Sequence, residues 1–346
     1  MFELNGVKIG KGHKPFIIAE LSANHGGDLQ RAKDSIYAAM SSGADAVKIQ
    51  SYTPDTMTID SSEEDFMIKE GIWKGNNLYK LYEEAFTPFE WHRELFQFAR
   101  KIGISIFSTP FDETAVDLLV DLDAPAYKIA SFELIDLPLI KYVAKQSKPM
   151  FISTGMSNLD EIANAVETCF QSGNKDLLLF HCISNYPAEL EDSNLGDIKY
   201  LANHFNLEVG LSDHTKSNMA SILSVALGAS AIEKHFKLDD KDCGPDSTFS
   251  ILPKQLKSLC SECEQAFNAV KSNNLQRPLS EVLNKKFRRS IYFVKDLKKG
   301  HLIKEEDIRR IRPGFGLEPK YFNELIGRRL KRDVLRGEAT TWSHLY

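Results

Sequence analysis

Short runs of β-branched and apolar residues alternate with segments of helical period from the N-terminus to about residue 270, the pattern of parallel βα units. Eight runs carry it: FIIAE (16–20), AVKIQ (46–50), ISIFST (104–109), AYKIAS (126–131), PMFIST (149–154), LLLFHC (177–182), LEVGLS (207–212) and AIEKHF (231–236). Between them, segments such as LQRAKDSIYAAMSSGA and SNMASILSVALGA repeat apolar residues at i, i+3 and i+4 and end in glycine, as helices do. Eight such units predict a closed (β/α)8 TIM barrel over residues 1–270. A polar linker at 271–285 follows, and over 286–346 the pattern changes to short strands and tight turns. In that stretch VKDLKKG (294–300) and KRDVLRG (331–337) place Asp, an apolar residue, a cation and Gly in the same order, which predicts a small pseudo-symmetric β domain.

Polar residues gather at the C-terminal ends of the eight runs: Glu20, Lys48, Gln50, Ser108, Thr109, Lys128, Ser131, Ser153, His181 and His235. In a barrel those ends form the rim that carries chemistry. Strand ends are polar simply because strands stop there, yet lysines, a glutamate and histidines together exceed what that requires. The gap between the second and third runs is longer than one helix needs and holds GIWKGNNLYKLYEEAFTPFEWH. An inserted loop and short helix above the rim are expected, with Trp73, Tyr79, Tyr82 and Phe86 either packed against one another or forming a lid or substrate wall.

Composition narrows the class. Apolar residues make up 42% and charged residues 26%, as in ordinary soluble proteins. The start lacks a basic segment followed by an apolar one, and no run of about 18 apolar residues occurs, so a cytoplasmic protein without a membrane partner is expected. Five cysteines (169, 182, 243, 260 and 263) are an odd number that argues against a disulfide framework, and Cys260 and Cys263 form a lone CxxC inside a helical pattern. The net charge of -5 is unevenly spread: Lys286 to Tyr346 holds 16 Lys and Arg against 8 Asp and Glu, or +8, which leaves -13 for the rest. Basic tails can bind nucleic acid, but these charges are interleaved with strand-like residues, and docking onto an acidic barrel is the expected use.

The candidate chemistry follows from position. His214 in GLSDHT and His235 in AIEKHF follow adjacent predicted strands, whose ends lie about 5 Å apart in a sheet. They are candidate ligands for one divalent cation, Mn²⁺ foremost, with Co²⁺ or Mg²⁺ as alternatives. Lys48 and Lys128, with Thr109, Ser131 and Ser153, supply cations and hydroxyls for a phosphate or carboxylate. A Schiff-base aldolase or lyase, with one lysine as nucleophile and no metal, reads the same residues differently. A carbohydrate-binding or structural protein without turnover is a further alternative. Glu20 and Glu133 are candidate general acids or bases.

FIIAELSANHGG, ADAVKIQSYTPD, FSTPFDE, AYKIASFE, ISTGM, GLSDHT, GASAIEKHF and the GPD of CGPDSTFS resemble, in order, the motifs of the sialic acid (nonulosonic acid) synthase family, and RRSIYFVKDLKKGHLI, IRPGFGL and LIGRRLKRDVLRGE resemble its C-terminal antifreeze-like (SAF, β-clip) domain. ELSANH, the insertion, YKIASFE and RPGFGL are similar to the pseudaminic acid branch rather than to the N-acetylneuraminate branch, with a legionaminic or N-acetylneuraminic acid synthase of the same chemistry as the alternative. The resemblance implies condensation of phosphoenolpyruvate with an open-chain amino sugar at a divalent-metal site. It implies that His214 and His235 hold the metal, that Lys48, Thr109, Lys128, Ser131, Ser153 and Ser184 hold phosphoenolpyruvate, and that Glu20 and Glu133 lie near the reacting carbons. Gln50, Tyr186 and Asp246 would line the sugar site, and Arg312 would reach into the active site of a partner in a domain-swapped homodimer. The stretch HCISNYP departs from the family pattern at Ile183 and Ser184.

Overall fold

The structure is a computed structural model and describes residues 2–241, 244–270 and 277–346. Cys243 and residues 271–276 of the expected linker lie outside the described residues. The chain divides into two compact units, residues 1–272 and 273–346.

In the first unit a hairpin of β1 (Phe2–Leu4) and β2 (Val7–Ile9) precedes eight parallel strands. These are β3 (Phe16–Glu20), β4 (Ala46–Ser51), β5 (Ser105–Pro110), β6 (Tyr127–Ile129), β7 (Met150–Ser153), β8 (Leu177–Cys182), β9 (Glu208–Asp213) and β10 (Ala231–His235). They hydrogen-bond in sequence order, and β10 pairs with β3 to close the barrel. Each of the eight expected runs forms a strand, and the helices between them take the expected form. In Leu29–Ser42, the Asp28 side chain accepts from the Gln30 and Arg31 N–H groups, and Gly43 ends the helix at φ 97°, a left-handed geometry that glycine adopts without strain. Its Ala32, Ile36 and Ala39 face the barrel.

Alternation along the strands divides the apolar residues into two layers. Ile17, Val47, Ile106, Ile129, Ile152, Leu179, Leu211 and Ile232 point outward into the shell shared with the helices. Phe16, Ile18, Ala46, Phe107, Ala126, Phe151, Leu178, Phe180 and Ala231 point inward and fill the N-terminal half of the barrel, joined there by Phe2, Leu4 and Ile9 of the hairpin. That hairpin was not among the expected elements, although its signal was present: Asn5 and Gly6 form the turn with φ 45° and 85°, and Asn-Gly between apolar runs is a strong hairpin cue. It seals the bottom of the barrel, so the lumen opens only at the other end.

Gly210 on β9 faces the stacked Phe151 and Phe180 rings of this plug. A Cβ there would lie 2.5 Å from Ala231 O and 2.6 Å from the Phe180 ring. Gly210→Ala is expected to destabilise the protein by about 1–3 kcal/mol, the usual cost of overpacking a filled core, read as a lower unfolding midpoint in denaturant. An unchanged midpoint would contradict the packing described.

The second unit pairs β11 (Ser290–Phe293) with β12 (Ile308–Ile311) around Ile291, Phe293, Leu297, Ile303, Ile308, Leu325, Leu330, Val334 and Leu345. Here the two sequence echoes pair with each other. Leu297 and Val334 exchange backbone hydrogen bonds of 3.0 Å each way. Asp333 accepts from Lys299 N at 2.8 Å, and Asp296 accepts from Arg336 N at 2.7 Å. Gly300 and Gly337 both adopt positive φ, 84° and 87°. Equivalent residues make equivalent bonds, as a pseudo-two-fold axis requires. Among the described residues no helix is long and apolar enough to cross a membrane.

Candidate active site at the C-terminal mouth of the barrel

Above the apolar plug, the inward positions become polar. Glu20, Lys48, Lys128 and Glu233 share the inward parity of Ile18, Ala46, Ala126 and Ala231, and all four are almost completely buried. Lys128 Nζ donates to both oxygens of Glu233, at 3.0 and 3.1 Å. Lys48 Nζ lies 2.6 Å from Glu20 Oε2 and 3.7 Å from Glu233 Oε1, and it donates to Thr109 Oγ1 at 3.0 Å. Burial pushes Glu20 up from the ordinary carboxylate range, with Lys48 opposing. Burial also lowers Lys128, helped by the like charge of Lys48 and opposed by Glu233. For Lys48 and Glu233 the opposite charges outweigh burial, raising the lysine and lowering the carboxylate. Two lysines and two carboxylates are thus paired inside the barrel, at the C-terminal ends of its strands.

The loops after β6, β7 and β8 converge beside these pairs. Gly155 N donates to Ser131 Oγ at 3.1 Å, and a Cβ at Gly155 would sit on Ser184 Oγ and 2.8 Å from Ser131 Oγ. Glycine is required there because the space belongs to two hydroxyls. Ser153 Oγ is buried without a partner, as is Glu133 Oε2 on the turn Ser131–Glu133. Burial pushes the Glu133 carboxyl up to about 7. Between the ordinary value of 4.5 and about 7, the folded chain therefore holds a proton that the unfolded chain has released. Stability contributed by this group falls as pH rises through that window. Glu133→Gln keeps the neutral form, so relative to the wild type it should gain up to about 3 kcal/mol between pH 4 and pH 8. Urea unfolding at the two pH values measures the gain, and a pH-independent difference would contradict it.

One layer higher stand the two histidines. His214 and His235 have ring centroids 5.3 Å apart. His214 Nδ1 donates to Ile183 O at 2.9 Å, so Nε2 is the nitrogen left to take a ligand; burial works to lower this histidine, but Cys182 beside it raises it. His235 is lowered well below the usual histidine value, chiefly by burial, and its buried Nδ1 has no hydrogen-bond partner. A neutral imidazole with an unpartnered nitrogen, beside a second imidazole oriented by a carbonyl, fits a divalent cation. Among the described residues no cluster of three or more His, Cys, Asp or Glu is arranged for a metal, so the remaining positions on such an ion would fall to water or substrate oxygens.

An aromatic and polar wall flanks the pair. The Tyr186 ring lies 4.3 Å from that of His214, and Phe249 lies 5.3 Å from Tyr186 and 4.9 Å from His235. Gln50 Nε2 donates to Glu20 Oε1 at 3.1 Å and to Ser22 Oγ at 3.0 Å, while Ser22 Oγ donates to Asp246. Asp246 Oδ2 lies 3.8 Å from His235 Nδ1.

Two rim candidates are turned away from the mouth. Ser108 has the outward parity of Ile106 and bonds Ile49 O at 2.9 Å, and His181 has the outward parity of Leu179 and bonds Ser193 O at 2.7 Å. Their strands carry Thr109 and Cys182 inward instead. Arg312 belongs to the second unit, where it lines a groove of about 740 Å³ with Arg289, Arg309 and Arg310. Glu233, Ser22 and Cys182 escaped the sequence reading. Glu233 was findable, because it precedes His235 by two and must share its face. Ser22 (φ 44°) gave no such cue. Although burial works to raise the Cys182 thiol, His214 beside it brings it down to about 7.

A closed parallel barrel with buried lysines, carboxylates and paired imidazoles at the C-terminal ends of its strands defines a (β/α)8 enzyme. The profile of the NeuB family matches residues 35–274, and that of the SAF domain matches residues 288–345. Pseudaminic acid synthase of Campylobacter jejuni is 45% identical over 94% of this chain and 95% of its own. N,N'-diacetyllegionaminic acid synthase of Legionella pneumophila is 37% identical over 99% of this chain and 98% of its own. The crystal structure of N-acetylneuraminic acid synthetase from Leptospira borgpetersenii superposes with a TM-score of 0.74 at 30% identity, covering 82% of this chain and 94% of that one. This chain belongs to the NeuB family, the nonulosonic acid synthases, and is an enzyme of the transferase type.

Proposed function

We propose that the chain is a pseudaminic acid synthase, which condenses phosphoenolpyruvate with 2,4-diacetamido-2,4,6-trideoxy-L-altrose and water to give pseudaminic acid and phosphate. The observation that carries the chemistry is the buried Glu20, Lys48, Lys128 and Glu233 layer beneath the histidine pair. The choice of sugar rests on the 45% identity to the Campylobacter jejuni enzyme of that name.

In this reading Lys48 and Lys128 hold the carboxylate and phosphate of phosphoenolpyruvate, with Thr109, Ser131, Ser153 and Ser184 supplying hydroxyl donors. His214 and His235 would hold a divalent cation, Mn²⁺ foremost, whose chemistry is Lewis-acid polarisation of the aldehyde oxygen. Gln50, Tyr186 and Asp246 orient the sugar so that C3 of the enol faces its C1 aldehyde, and this positioning is worth several kcal/mol. A C3–C1 bond forms as the aldehyde C=O opens, its oxygen taking up a proton to become a hydroxyl, and positive charge develops at C2. Water then adds at C2, giving up a proton, and the tetrahedral carbon collapses to the 2-keto group as its hydroxyl loses a proton and its C–O bond to phosphate breaks. Glu133, held near neutrality, and Glu20 are the carboxyls able to take up and return the protons of these steps. The rate profile is therefore expected to carry a limb near pH 7 that Glu133→Gln removes. Assembly as a domain-swapped homodimer, with Arg312 entering the partner's sugar site, belongs to the same proposal.

Phosphate release from phosphoenolpyruvate tests the proposal, with the altrose compound, its D-manno counterpart and N-acetylmannosamine offered separately. Release confined to the altrose compound is expected. Release confined to either of the others would keep the chemistry and replace the substrate by that of a legionaminic or N-acetylneuraminic acid synthase.

A further inference from the structure

We propose that Trp73 is a specificity-determining residue, its indole closing the outer wall of the sugar site against an apolar substituent at the distal end of the sugar chain. The inference rests on the synthase reading above and adds the residue that reads the far end of the substrate.

Trp73 stands at the tip of a tight loop in the insertion after β4. Ile68 N donates to Asn76 O at 2.9 Å and Gly75 N to Ile68 O at 2.8 Å. Gly71 and Gly75, on either side of the tip, take φ of 78° and 91°, conformations open to glycine. Its ring lies 5.7 Å from Tyr186, which in turn lies 4.3 Å from His214. The indole is therefore one ring further from the histidine pair than Tyr186. The other insertion tyrosines are engaged elsewhere: Tyr79 donates to Asp55, and Tyr82 packs edge-on against Tyr52.

The hydrogen bonding at Trp73 decides what this wall accepts. Indole has one N–H and no acceptor, and that N–H donates to Pro245 O at 3.0 Å. Pro245 precedes Asp246, so the same bond ties the loop to the carboxylate that accepts from Ser22. With its donor used, the ring face offers a hydroxyl nothing. A sugar whose aldehyde lies at the histidines runs along Tyr186 toward Trp73. A methyl at its far end gains apolar burial against the indole, whereas a hydroxymethyl loses water there without replacement.

The test compares two amino sugars that differ only in whether C6 is a methyl or a hydroxymethyl group, in the wild type, Trp73→Ala and Trp73→Phe, with phosphoenolpyruvate. The wild type is expected to favour the methyl sugar in kcat/KM by about 10- to 100-fold, the range over which an apolar pocket discriminates one such group. Trp73→Ala should bring the ratio close to one through KM for the sugar, and Trp73→Phe should keep part of it. KM for phosphoenolpyruvate is the control, since a collapsed site would move it as well. A wild-type ratio retained in Trp73→Ala, with both sugars turned over, overturns this inference alone. A wild type that turns over neither sugar overturns the synthase reading and this inference with it.

Discussion

Replacing Lys128 with methionine is expected to lower kcat/KM by about a thousandfold, the scale on which loss of one preorganised charged donor is felt. The same exchange should cost about 3–5 kcal/mol of stability, because it leaves the buried Glu233 with the Ser212 hydroxyl at 3.2 Å and, as its remaining lysine, Lys48 at 3.7 Å. Those two losses have separate causes, and a second substitution divides them. In Lys128→Met with Glu233→Gln both charges of the pair are gone, and no buried ion is left uncompensated. Stability should return to within about 1–2 kcal/mol of the wild type, since replacing both members of a buried pair is often close to neutral. Activity should stay lost, because in the proposed reaction Lys128 is a cation that holds the substrate's anionic groups. A double variant that regained activity along with stability would make Lys128 a structural ion-pair partner. Lys234 is an example of such a residue in this barrel: it points outward, 2.7 Å from Asp213 Oδ2 and bonded to the carbonyls of Thr215 and Ser217.

The second large effect belongs to the histidine pair. His235→Ala should reduce turnover by about a thousandfold, corresponding to the several kcal/mol that a Lewis acid contributes. Chelation by EDTA should reduce the wild type to a similar level, reversibly on adding back Mn²⁺, while the residual activity of the variant should respond to neither. His235→Gln, which keeps a polar side chain of similar length, should not rescue it. Wild-type activity indifferent to EDTA, trapped by borohydride in the presence of substrate, would point instead to a lysine nucleophile and an aldolase. Against that, both rim lysines are tied to carboxylates, Lys48 to Glu20 at 2.6 Å and Lys128 to Glu233 at 3.0 Å.

The barrel was legible because its strands are buried on both faces and read as continuous apolar runs, each ending in polar residues at one end. Period-two alternation then decides which of those residues enter the mouth, and applying it strictly separates Thr109 from Ser108 and Cys182 from His181. The same rule identifies Glu233, which a search for strand-end residues passes over because Lys234 and His235 follow it. Other parts of the site have no local signal. Ser22 reaches Gln50 and Asp246 only because the chain after β3 turns through a positive φ, and the orphaned Ser153 hydroxyl is a property of burial. The paired echoes of the second unit were visible as a repeat, but the sequence did not disclose that the two copies bond to each other. The elevation of Glu133 to about 7 likewise arises from tertiary burial, which no spacing encodes.

In the proposed condensation the mouth of the barrel holds phosphoenolpyruvate by both anionic groups and breaks its C–O bond. Phosphoenolpyruvate carrying ¹⁸O in the oxygen that bridges C2 and phosphorus, turned over with the amino sugar and analysed by mass spectrometry of the released phosphate, tests it directly. The phosphate is expected to retain the label, and its release to depend on the sugar. Unlabelled phosphate, marking cleavage of the P–O bond, or release at the same rate without sugar, would contradict the proposed condensation.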